Sequence, residues 1–167
     1  MVLSSVSKQW TDDIEKILPG SDTYQVLFVG ATSKETAEKA GHLRYPAFLP
    51  NLDAAFAAAS LVVHGGGVGV CEQAVRSGKP SICLSSMVEQ ELNGVRLEAL
   101  GLAKHFKIAS VLEDGAGFCS TVQDFFEGGS EIFDHSTLLS AQEQVRQESA
   151  LALPALAEHL LQIAVQA

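Results

Sequence analysis

An α/β fold, a parallel sheet with helices on both faces, is what the sequence predicts, and three observations carry that prediction. Stretches of strand character alternate with stretches of helical periodicity along the chain, the order that gives a parallel sheet between two helical layers. Leu61, Val62 and Val63 form an unbroken apolar run, the mark of a strand buried on both faces. Directly after it come His64, Gly65-Gly66-Gly67 and Gly69, and then Val68, Cys71 and Val75 recur at helical spacing. A buried strand therefore turns through glycines into a helix. Ligands of parallel sheets lie beyond the carboxyl ends of the strands, where that turn falls.

The elements follow in order. Residues 1–5 are a short apolar start leading to Ser7. Thr11 is placed to cap a helix through Leu18, with Asp12 and Asp13 in its first turn, and Pro19-Gly20 ends it. Residues 24–29 read as a strand, 33–41 as a short helix and 44–48 as a weaker strand. Asn51 caps a helix to Ala59, on which Leu52, Ala55, Phe56 and Ala59 keep an apolar stripe. After the central strand, Ser77-Gly78-Lys79-Pro80 closes the next helix. Residues 81–84 form a strand, and 88–100 a helix with Leu92, Val95 and Ala99 on one face, stopped by Gly101. Residues 103–108 add a last strand. A helix over 117–126 is followed by two closing helices, 137–149 and 153–165, separated near Pro154.

Composition narrows the function. The 167 residues read as one domain, large enough for a sizeable core. A net charge of −9 argues against nucleic acid as a partner, because phosphate backbones need clustered lysine and arginine. It leaves room for one small anion, whose local field is set by helix termini and neighbouring side chains. No apolar run is long enough for a transmembrane segment, and no secretory signal is visible. Cys71, Cys83 and Cys119 have neither metal spacing nor a disulfide pattern, which points to a reducing, cytoplasmic location.

The glycine turn is the chemical centre. Glycine lets a backbone take positive φ and approach a ligand closely. A helix start offers unpaired N–H groups and about half a positive charge. Such a turn suits an anion, most often phosphate; the bland alternative is a tight turn whose glycines only ease packing. The dinucleotide fingerprint fits poorly, since Glu72 stands where its third glycine belongs.

Several spacings together resemble the C-terminal, nucleotide-sugar-binding half of the GT-B glycosyltransferases that use UDP- or TDP-sugars. The family pattern runs roughly His-x-Gly-x-x-(Ser/Thr)-x-x-Glu, then Gly-x-Pro, then (Asp/Glu)-Gln followed by Asn. Here His64, Gly66 and Glu72 are in step, Gly78-Lys79-Pro80 follows, and Glu89-Gln90 precedes Asn93. Upstream, Phe48-Leu49-Pro50-Asn51 resembles the family's aromatic-x-Pro-Gln, and Ser4-Ser5-Val6-Ser7 a decayed Ser-x-Gly-Ser turn. Two departures stand out. Gly69 takes a position where the family often has a side chain that touches phosphate. Ser85 replaces a frequent proline before the sugar-binding loop, which predicts a looser loop.

The resemblance implies a Rossmann-like fold and a role for each residue. Phe48 would stack on the base, and the Leu49 backbone would pair with its edge; Phe48 also reads as a core aromatic. Ser7 and the backbone of Gly66, Gly67, Val68 and Gly69 would hold the diphosphate. Glu72 would accept from the ribose hydroxyls, or be a solvated helix glutamate. His64 would donate to the diphosphate and act catalytically by carrying charge on the leaving group, or be satisfied locally. Titrating near 6.5, it would make diphosphate binding tighten as pH falls. Glu89 and Gln90 would bind the sugar, or cap a helix.

The implied activity is transfer of a sugar from the UDP- or TDP-sugar donor to an acceptor hydroxyl by direct displacement, with no cofactor and no required metal. An N-terminal acceptor-binding domain is absent from the 167 residues, so an acceptor half or a separate subunit is the expected partner and the isolated chain is expected to be inactive. A base then has to come from elsewhere, with His105 and His135 as the stand-ins. A non-catalytic nucleotide-sugar-binding module and a sugar-nucleotide epimerase half are the alternatives.

Overall fold

The computed structural model describes residues 2–4, 8–18, 25–29, 43–44, 49, 51–128 and 133–166. The elements run β1 (Val2–Ser4), α1 (Lys8–Ile17), β2 (Val26–Val29), β3 (Leu43–Arg44), α2 (Leu52–Ala58), β4 (Val62–His64), α3 (Val68–Ser77), β5 (Ser81–Ser85), α4 (Val88–Ala99), β6 (Lys104–Lys107), α5 (Ile108–Glu113), α6 (Ala116–Phe126) and α7 (His135–Gln166). The six strands make one parallel sheet in the order β3-β2-β1-β4-β5-β6. The chain builds outward from β1 to β3 on one side and from β4 to β6 on the other. The order reverses between β1 and β4, the switch point at which such sheets open a crevice.

The apolar run reads as a strand buried on both faces, and both faces are filled. Val63 joins Ile82, Leu84, Ile14, Ile108, Val111, Phe118 and Val122 in one core cluster, whereas Val62 packs with Phe56, Val70 and Ala74 in another. Successive residues of β4 thus point to opposite layers. Asn51 caps α2 as expected, its Oδ1 accepting the Ala54 N–H at 2.9 Å. Gly78 closes α3 in the left-handed region, at φ 65°.

Three expectations are corrected and a fourth is borne out with its side now assigned. Helix α1 starts at Lys8, so Thr11 lies inside it and caps nothing; Trp10, packed against the core, draws the earlier turn into the helix. Helix α5 follows β6 directly. Pro154 does not divide the end of the chain: α7 is one helix of 32 residues. Proline removes only one internal hydrogen bond, and good helix formers on both sides (Ala150, Leu151 and Ala152; Ala155, Leu156 and Ala157) carry the helix through. The stripe of Leu92, Val95 and Ala99 does share one face of α4, but that face is exposed, Leu92 at 66%. The side toward the sheet is instead marked by buried Gly94. A Cβ there would lie 2.3 Å from His105 Cδ2, so the helix approaches too closely for any side chain.

The expected helix over 33–41, residues 45–48 of the expected third strand, Ser7 and Phe48 lie outside the described residues.

Candidate functional site

The carboxyl edge is built on a row of register partners, Ser4, His64, Cys83 and His105, one from each of four adjacent strands. His64 ends β4 and is wholly buried. Its Nδ1 accepts the Gly66 N–H at 3.2 Å. That bond fixes the tautomer: Nδ1 must keep its lone pair, so the proton is on Nε2. Among the described residues Nε2 has no hydrogen-bond partner, although an unsatisfied buried donor costs about 1–3 kcal/mol. Burial lowers the pKa of His64 to about 4. The imidazole is therefore neutral at pH 7, which corrects the expected titration near 6.5. Removal from water disfavours the charged ring, and protonation would also displace the Gly66 bond.

The glycines divide by what surrounds them. Gly66 has φ +79°, and a Cβ would lie 2.7 Å from Cys83 Sγ and 3.0 Å from the Gln90 carbonyl oxygen. It needs glycine for conformation and for space. Gly67 is the N-cap of α3 at φ −65°, with no side-chain capping bond. A Cβ on Gly67 or Gly69 would meet nothing within 4 Å. The first N–H that closes back into the helix is that of Cys71, to the Gly67 carbonyl at 2.9 Å. The groups of Val68, Gly69 and Val70 before it belong to the open start of a helix, where the positive end of the dipole lies.

Glu72, one turn further on, is exposed and ion-paired with Arg76 on the same helix. The i,i+4 spacing makes that pair possible, and half-exposure keeps it weak.

Helix α4 brings the other expected residues to the same edge. Gln90 Oε1 accepts from both the Ser86 N–H and the Ser86 hydroxyl, each at 2.9 Å. Because a backbone N–H can only donate, the amide orientation is settled and two Nε2 hydrogens remain to donate. Gln90 thus performs part of the capping role read from the sequence, around Met87, which has no side-chain cap of its own. Glu89 is exposed beside it. Asn93 Nδ2 donates to the Gly66 carbonyl at 2.9 Å, tying α4 to the glycine turn. Lys107 pairs with Glu91 at 2.6 Å on the surface.

Leu49 is half-buried at the end of the segment before α2. Cys83 fills the space between Gly66 and Gly94. Burial pushes its thiol up to about 12 and that of Cys71 to about 11, so both are un-ionised spacers. No group of three or more metal-ligating side chains is found among the described residues.

A separate groove of about 380 Å³ runs between α3, α4 and α7, lined mainly by apolar residues such as Val75, Leu97 and Val145. Of the expected donor residues that are described, only Val68 and Glu72 line it, so the groove is not where those residues converge.

The sequence pointed to the Asn93 position but gave no bond for it, and Cys83, His105 and Ser85 received no structural partner. The Ser85–His105 and Asn93–Gly66 bonds span 20 and 27 residues, beyond any local pattern.

No family model matches the chain, and no curated protein matches it. Solved structures do. The calicheamicin glycosyltransferase CalG4 superposes with a TM-score of 0.75 at 14% identity, over 98% of this chain and 43% of that one. The chain shares the fold of the matched part of that protein. The rhamnosyltransferase SpnG, complexed with thymidine diphosphate, matches with a TM-score of 0.69 at 14% identity, over 87% of this chain and 41% of its own. The glycosyltransferase VinC, in complex with DTDP, matches with 0.68 at 18% identity, over 95% and 41%. The chain spans about two fifths of the length of these glycosyltransferases. No helix of the described residues is long and apolar enough to cross a membrane.

Proposed function

We propose that the chain is the donor-binding half of a glycosyltransferase and binds a UDP- or TDP-sugar. The observation that carries this reading is the buried His64, whose unpaired Nε2–H lies beside an uncapped helix start with open space at Gly67 and Gly69. In this reading the diphosphate meets Nε2–H and the N–H groups of Val68, Gly69 and Val70. Glu72 exchanges Arg76 for the ribose hydroxyls, Leu49 and Phe48 hold the base, and Ser7 closes on the phosphate. Glu89 accepts from the sugar hydroxyls and the free Gln90 amide donates to the sugar oxygens. The structural neighbours with bound thymidine diphosphate support this class of ligand.

The reaction is displacement at the anomeric carbon. The acceptor oxygen forms a bond to that carbon as the bond to the diphosphate oxygen breaks, and the electron pair leaves with the diphosphate. Negative charge therefore grows on the leaving group in the transition state. A preset neutral donor and a helix dipole stabilise it there more than in the ground state. The general base comes from an acceptor half, since the Nε2 of His105 is taken by Ser85. Metal and cofactor are not required by this reading.

Calorimetric titration with UDP, TDP and their sugar conjugates tests the proposal. Saturable binding is expected, with Glu72→Ala weakening it by about 1.5 kcal/mol, the low end for bonds to a charged group because Arg76 competes. The chain alone should bind donor and transfer nothing until an acceptor half is supplied. No binding of either nucleotide, or unchanged affinity in Glu72→Ala, would count against the assigned roles.

A further inference from the structure

The turn between β5 and α4 carries Glu89 and Gln90, and the residue at its root is Ser85, a position where the sequence predicts looseness because a proline is replaced. The structure gives that serine an anchor. Ser85 is buried, 4% exposed, and its Oγ lies 2.8 Å from His105 Nε2 on the neighbouring strand. The His105 ring is wedged under α4 against Gly94, where a Cβ would come within 2.3 Å of Cδ2 and 3.0 Å of Cγ. Glycine at 94 is what lets helix and ring share the space. From Ser85 the chain passes to Ser86, whose N–H and hydroxyl hold Gln90 Oε1. An unbroken series therefore runs from His105 through Ser85 and Ser86 to the amide of Gln90.

We propose that His105 is a positioning residue for sugar selection, acting through Ser85 on the turn that presents Glu89 and Gln90. The inference rests on the donor-binding reading above and names the regulation of one half of that site. Other ties to α4 are longer or lead elsewhere: Cys83 Sγ reaches the Gln90 carbonyl only at 3.9 Å, and Glu98 accepts from the His105 backbone N–H at 3.4 Å, away from the turn. The Glu91–Lys107 pair is surface-exposed, with side-chain exposures of 37% and 56%, and such pairs contribute little. The Asn93–Gly66 bond leads to the glycine turn and not to Ser86. The His105–Ser85 bond is part-buried, with Ser85 itself at 4% exposure, which makes it a stronger constraint on the turn than the exposed ion pair. His105 itself touches no ligand, because its Nε2 is engaged and its ring lies beneath the helix.

The test separates affinity for the sugar from affinity for the diphosphate. In His105→Leu and in Ser85→Ala, binding of a UDP- or TDP-sugar should weaken three- to tenfold while free UDP or TDP stays within twofold of the wild type. The double variant should lose no more than either single one, since both break the same bond. His105→Gln places an amide nitrogen near the Nε2 position and should recover most of the loss, which a mere packing role would not predict. Amide exchange read in the same variants should accelerate over 86–90 and not over 61–67. If His105→Leu fails to fold, Ser85→Ala, which removes one oxygen, carries the same comparison. Equal losses for sugar-linked and free diphosphate, or no loss for either, would overturn the inference. Failure of Gln to rescue in a folded protein would do the same. If the wild-type chain binds neither nucleotide, the donor-binding reading itself fails, and selection falls with it; unchanged exchange over 86–90 would reject the anchoring alone.

Discussion

The neighbouring strands β4 and β5 end in turns that treat their polar groups in opposite ways. After β5 the turn closes on itself: Ser85 bonds His105, and Ser86 bonds Gln90 twice. After β4 the turn stays open: His64 keeps an unpaired Nε2–H, and α3 starts with no side-chain cap. The glycines show a second contrast, which runs within the β4 turn itself. Gly66 and Gly94 are crowded, whereas Gly67 and Gly69 have nothing near. Packing and dihedral angle explain the first two, and among the described residues neither explains the second two.

The largest expected effect lies on the crowded side. Gly66→Ala combines positive φ with a near-contact on Cys83 Sγ, and strain plus overpacking should cost about 3–5 kcal/mol in urea denaturation. A loss under 1 kcal/mol would mean the turn yields easily and would blunt the contrast.

Next is the pH dependence of His64. Its folded pKa of about 4 lies below the unfolded value near 6.5. The unfolded chain therefore binds the proton more readily. The His64 contribution to stability is complete above about pH 6.5, declines as pH falls, and is gone below about 4. Integrated over that window it is about 3 kcal/mol. His64→Asn, whose Oδ1 can still accept the Gly66 N–H but cannot titrate, should flatten this part of the stability profile between pH 7 and 4. Parallel profiles for variant and wild type would show that the ring is more hydrated than its burial indicates.

The smallest effect is the most discriminating. Gly69→Ala fills empty space in a helix and should raise stability by about 0.5–1 kcal/mol, yet weaken UDP or TDP binding. If stability rises and binding is unchanged, the open side is not the phosphate side.

Much of this was legible in the sequence, and the reason is locality. The β4 run, the glycine turn, the Asn51 cap and the Gly78 stop each depend on residues within about one turn of one another. Glu72 and Arg76 are likewise readable as an i,i+4 pair. What escaped depends on tertiary contact. Periodicity shows that Leu92, Val95 and Ala99 share a face but not that the face is the outer one. The His64 pKa follows from burial, which no neighbour in sequence reports. Ser85 read as a loosening substitution because its partner stands 20 residues away. Pro154 read as a break because a single local rule was set against a long helix that outweighs it.

The fixed tautomer of His64 has a calorimetric consequence. A side chain that meets an anion with a proton already in place takes none from the medium. Between pH 7 and 8, where the ring is neutral, contact with Nε2–H involves no exchange of protons with buffer. The heat of sugar-nucleotide binding should then be the same in HEPES and in Tris, whose ionisation enthalpies differ widely. A hydrogen bond preset in this way leaves its mark as a signal that does not change with the solvent's own chemistry.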